Sequence, residues 1–151
     1  MKGFYNLTTK IKESLLEDAF VNTVIFGDAS KVDLNKQSIF PIANFVITNA
    51  NLNGNIWTFS IELSCADIVD YSKEDTTDLF LGNDNEQDVL NTQLAVIGRL
   101  MERLNRGDIR DELYQLNGSP SMQPFSGKLN NLLAGWTVTF DVDIPTDLTI
   151  C

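Results

Sequence analysis

An α+β domain, with an antiparallel β-sheet and two main helices packed on one of its faces, is the fold class this sequence predicts. Three observations carry the prediction. Residues 56–66 and 136–144 alternate apolar and polar side chains at the two-residue period of a half-buried strand. Residues 8–24 and 84–106 instead place apolar side chains at steps of three and four, the period of an amphipathic helix. The Asn- and Gly-rich stretch NANLNGN joins two strand-forming segments, which predicts a hairpin and hence antiparallel pairing. The chain has 151 residues, 43% of them apolar, with nine Phe, three Tyr and two Trp, which suits one domain, 1–151, able to bury a real core.

In TTKIKESLLEDAFVNTV, residues 8–24, Ile11, Leu15, Leu16, Ala19 and Phe20 form the apolar stripe, and Thr8 or Thr9 is available as a cap. Lys12, Glu13, Glu17 and Asp18 form the solvated face. Gly27, Asp28 and Ser30 then discourage regular structure, so residues 27–37 read as an extended loop, with Pro41 near the start of the next strand or on an edge. Residues 39–49 are β-rich. In residues 56–66, Trp57, Phe59, Ile61, Leu63 and Cys65 point one way, while Thr58, Ser60, Glu62 and Ser64 point the other. Residues 70–83 read as an acidic loop. The helix at 84–106 repeats Leu90, Leu94, Ile97, Met101 and Leu104, carries acids at its start and arginines toward its end, and stops at Gly107. Segment 110–128 reads as a short strand near Leu113 to Leu116 followed by a loop with Pro120 and Pro124. Trp136, Val138, Phe140, Val142 and Ile144 then mark a strand that Pro145 stops.

The chain carries 21 acidic and 11 basic residues, a net charge of −10, so its average surface repels nucleic acid. It has no histidine, which removes the commonest general base, the usual triads and most zinc sites. Cys65 reads as core and Cys151 as a loose end, both free thiols. The opening MKGFYNLTTKIKESLL lacks the apolar core of a signal peptide, and no apolar run approaches a membrane span, so a cytosolic site of synthesis and no membrane partner are expected. The segment GDASKVD has one glycine where a phosphate loop needs two before its lysine, and it fails a calcium loop at the third ligand, Val32. Asp28 with Asp33 leaves a divalent ion open, beside a solvated loop and an inter-subunit contact loop. The carboxylate pairs Asp67 with Asp70, Glu74 with Asp75, and Asp141 with Asp143 show no reason for their pKa values to separate, and read as solvated. Arg99, Arg103, Arg106 and Arg110 suggest a polyanion stripe, but helix-dipole matching and a Glu102–Arg106 pair explain them more simply.

The ordered segments DAFVNTVIFGDASKVDLNKQSIFPIANFVI, WTFSIELSCADIV, NTQLAVIGRLMERLNRG and LLAGWTVTFDVDIP resemble the tail-completion, tail-terminator or head–tail connector proteins of tailed bacteriophages. Those of phages infecting Bacteroidetes, including the crAss-like group, are the most similar. The resemblance spans almost the whole chain, with FGDASKVDLNKQSIFP and LAGWTVTFDVDIP as its more specific pieces. It implies a tail-terminator-like fold and a structural virion protein with no catalytic residues, cofactor or metal. It implies further a homo-oligomeric ring of six or twelve copies at the neck or tail, stacked on neighbouring neck, portal or tail proteins. Genomic DNA would pass through the channel without specific binding, and the protein would be made in the host bacterial cytoplasm. Rings need heterologous interfaces, and a negative channel wall avoids the counterion release that makes basic surfaces hold DNA.

On that resemblance, residues 28–38, with Asp28, Lys31, Asp33 and Lys36, become an inter-subunit contact loop whose alternating charge disfavours wrong registers. Two rival functions remain: an acidic DNA-mimic inhibitor of a host DNA-binding protein, and a small enzyme with a carboxylate-bound metal.

Overall fold

The structure, a computed structural model, describes residues 2–28, 39–69, 85–127 and 133–147. Where the alternation is strongest the chain forms the two central strands. β3 (Ile56–Ile68) and β5 (Leu133–Pro145) run antiparallel in an unbroken register, from Ile56 opposite Pro145 to Ile68 opposite Leu133. Phe59, Ile61, Leu63 and Cys65 are buried on one face of β3, and Val138, Phe140, Val142 and Ile144 continue that face on β5. β2 (Ile42–Asn53) completes the expected hairpin with β3, but the turn is far tighter than NANLNGN. Asn53 pairs with Ile56, leaving Gly54 and Asn55 alone in the turn. Gly54 takes φ +60°, as the first central residue of a type II′ turn requires, and there a side chain would be strained.

Two further strands flank this centre, in the order β1-β2-β3-β5-β4. β1 (Thr23–Phe26) pairs parallel to β2, so the sheet is mixed, though mostly antiparallel. β4 (Gln115–Gly127) pairs antiparallel to β5 and runs through Pro120 and Pro124, where the sequence predicts a loop. An outer strand tolerates proline because one side of its ladder carries no bond. A register shift between Asn117 and Ser121, with Gly118 at φ +74°, bends β4 before Pro120.

The first helix is displaced from its expected span: α1 covers Lys2–Leu16 rather than 8–24. Thr8 is no cap, for its hydroxyl donates to the carbonyls of Phe4 and Tyr5 at 3.2 and 3.1 Å within the helix. The apolar stripe reaches back through Leu7 to Phe4, while Ala19 and Phe20 lie exposed past the helix end. α2 (Glu86–Arg106) forms as expected but presents a slightly rotated face. Val89, Gln93, Val96, Ile97, Leu100, Met101 and Leu104 are buried, whereas Leu90 and Leu94 are half-buried. Gly107 ends it in an extended conformation, φ −106°; a Cβ there would lie 2.7 Å from the Arg103 Cα, so close approach rather than a left-handed turn calls for glycine. A single turn, α3 (Asp108–Asp111), follows, anchored by buried Ile109.

Both long helices cover the same face of the sheet. Leu7, Ile11 and Leu15 of α1 and Val96, Ile97, Leu100 and Leu104 of α2 share one apolar cluster with the inward residues of β3 and β5. Each such side chain contributes about 1.5–3 kcal/mol when fully buried. Trp136 Nε1 donates to the Leu90 carbonyl at 2.8 Å and fixes α2 over β5. No described helix is long and apolar enough to cross a membrane. The loop expected at 70–83, and Cys151, lie outside the described residues.

Candidate assembly surface

Of the residues assigned to the contact loop, Asp28 is described and exposed; Lys31, Asp33 and Lys36 lie outside the described residues. Asp28 stands just past the end of β1. The Gly27 N–H donates to the Phe45 carbonyl at 2.9 Å, the last backbone bond between this edge segment and β2. Asn44 reinforces the junction when its amide nitrogen faces β1, donating to the carbonyls of Ile25 and Gly27 at 3.1 and 3.0 Å. β1 therefore ends beside Phe45, the last residue of β2 that it pairs with.

The charged groups are mostly committed to one another. Arg99 holds Asp18 through two hydrogen bonds, at 2.6 and 2.9 Å, and its guanidinium lies 5.7 Å from the Phe20 ring centroid. Burial pushes Asp18 upward, yet the bonds from Arg99 and the Phe20 N–H outweigh it and hold the carboxyl below its usual value. Arg103 bridges Asp108 at 2.6 Å, Glu17 at 3.0 Å and the Ser14 hydroxyl at 2.7 Å, and its bond to Asp108 lowers that carboxyl to about 2. Arg106 pairs with Glu102 as expected, and Arg110 donates to the Asn105 carbonyl at 2.9 Å. No stripe of free arginines for a polyanion results. A groove of about 330 Å³ between the end of α1 and α2 is lined by Asp18, Phe20, Val96, Arg99 and Arg103, whose charges are already matched.

Nucleophiles and acids fare similarly. Cys65 is fully buried, and burial, with a smaller push from Asp18, raises its thiol to about 12, so it stays protonated. Burial raises Asp67, partly offset by the Ile68 N–H; Asp70, the partner expected for it, lies outside the described residues, as do Glu74 and Asp75. Asp143 accepts bonds from Thr58 and Asn117 across three strands. Among the described residues no three Cys, Asp or Glu side chains converge as metal ligands.

The backbone offers more. β1 covers β2 only from Ile42 to Phe45, and no described residue pairs with the same edge from Val46 to Asn53. Because the Phe45 carbonyl faces β1, alternate residues beyond it also turn their polar backbone groups outward. The bulge between Ile47 and Asn49 shifts the count by one, so the outward set is Ile47, Ala50 and Leu52. The same count, carried across β3 and β5, turns Leu116, Met122 and Pro124 of β4 outward. Pro124, which has no N–H to give, thus falls where β5 needs none.

These two edges share a feature visible in the sequence but easily passed over. No charged residue occurs from Gln37 through Ile61, nor from Leu113 through Gly127, in a chain of net charge −10. The first run contains all of β2 and its open edge; the second contains all of β4. Leu52 and Ile56 at the hairpin tip are 53% and 48% exposed. Native sheets usually guard an open edge with lysine or other charge, and β2 carries no charged residue along its own length. No family model matches the chain, and no curated protein matches it either.

Proposed function

We propose that the protein is a structural subunit of a phage virion, forming a homo-oligomeric ring at the neck or tail through which genomic DNA passes. The reading rests on the resemblance of its ordered segments, above all FGDASKVDLNKQSIFP and LAGWTVTFDVDIP, to tail-completion and connector proteins. One structural observation supports it: the sheet offers two different uncharged edges on opposite sides of an otherwise acidic subunit, and a head-to-tail ring joins two different surfaces. The DNA-mimic alternative has less support, because Asp18, Glu17, Glu102, Asp108 and Glu112 all lie against basic side chains rather than forming a free phosphate-like array. Negative-stain microscopy of the purified protein, with antibody labelling of phage particles, tests the reading. Annular particles and label at the neck or tail are expected; a monomer at all concentrations, without label on particles, would refute it.

A further inference from the structure

We infer that neighbouring copies join edge to edge, the open stretch of β2 in one copy receiving β4 of the next, so that one sheet continues around the assembly. The inference rests on the ring reading and names the surface that builds it. The occupant is a second copy of this chain. Two subunits of net charge −10 repel across most of their surfaces, and the uncharged runs at β2 and β4 are where strands can approach without bringing carboxylates together. The sheet order places these edges on opposite sides of the subunit, so the contact is heterologous and can close a ring.

Backbone chemistry completes the match. Ile47, Ala50 and Leu52 present outward N–H and C=O groups that an added strand satisfies, as in recognition by strand addition. Across the joint, Leu116 and Met122 present both groups and Pro124 its carbonyl. Pro120, Pro124 and the bend at Gly118 leave β4 a poor template for a second β4. That disfavours pairing of β4 with β4, and the cross-links below separate joining of β2 to β4 from pairing of β2 with β2. Ala50 stands opposite Phe59 and Met122 opposite Val138, both on the helix-covered face, so the two side chains share one face of the continued sheet.

Paired cysteines test this on the full chain carrying Cys151→Ser, with Cys65 buried and inert. Ala50→Cys and Met122→Cys proteins are prepared separately, mixed, and treated with a short bis-maleimide; melting curves check that each still folds. Cross-linked dimer is expected in the mixture and in neither variant alone, and the double variant should give a ladder ending at the ring's copy number. Ala50→Cys cross-linking to itself would overturn the inference in favour of two-fold pairing of β2 edges. Rings visible by microscopy without the 50–122 cross-link would overturn it too, while leaving the ring reading intact. Absence of any oligomer would remove both.

Discussion

The centre of the sheet and its edges are built on different principles. In β3 and β5 every second residue is buried beneath two helices, and stability comes from apolar packing. In the outer half of β2, residues 48–53 are all exposed, and among the described residues β3 is the strand that holds it, through backbone bonds and the Thr48 hydroxyl. The same contrast separates β5 from β4, whose described side chains are exposed or half-buried. A packed centre is intolerant of volume change. An uncharged edge is tolerant of side chains but sensitive to which way each N–H points.

The largest expected effects therefore lie in the centre. Leu63→Ala empties a fully buried site at the middle of β3 and should cost about 2–5 kcal/mol in urea unfolding. Gly135→Ala should do similar damage by overfilling, since its Cβ would sit 1.9 Å from the Cys65 carbonyl oxygen, backbone that cannot move aside. A cost under about 0.5 kcal/mol for either would break the contrast.

Next come the paired proline substitutions of β2. Asn51→Pro removes an N–H that faces β3 and should cost about 1–3 kcal/mol. Ala50→Pro removes one that faces outward and should leave the isolated subunit within about 0.5 kcal/mol while abolishing assembly, read by light scattering. Equal destabilisation by both would show that the inward and outward positions are wrongly ordered.

Gln93 sharpens the contrast from the helix side. It is fully buried with neither amide atom hydrogen-bonded, so Gln93→Met should raise stability by about 1 kcal/mol. A loss would mean that the amide has a partner worth more than its desolvation.

The smallest effect expected is at Asp67. Burial raises its folded pKa above the unfolded value, so ionisation works against folding at neutral pH and the penalty vanishes as pH falls below the ordinary carboxylate range. Asp67→Asn should thus raise Tm at pH 7 and leave it unchanged near pH 3. Asp108 runs the other way: its carboxyl is depressed to about 2, so its contribution is present above the ordinary range and is lost as pH falls toward 2.

The two principles also explain what the sequence reveals. β3, β5 and α2 are legible because a buried face imposes a period. β1 is not, because TVIF follows directly on an apolar helical stripe and is four residues long. Beyond the short strand expected near Leu113 to Leu116, β4 reads as a loop because both its prolines and its solvated side chains erase alternation, although the outward position of Pro124 needs no N–H. Gln93 is invisible as a core residue because its type is polar; the flanking Leu90 and Leu94 draw the stripe one position away. The contact loop is placed only through Asp28, beside the end of β1. The outer edges of the sheet left a different trace, two runs without charge, which periodicity does not register.

Amide hydrogen exchange at single-residue resolution along β2, in dilute and in concentrated protein, addresses the role of the open edge most directly. Asn51 should be protected in both samples, while Ala50 and Leu52 should exchange freely when dilute and slow by an order of magnitude or more on assembly. Assembly that leaves Ala50 and Leu52 as fast as before would contradict the joining of copies through this edge.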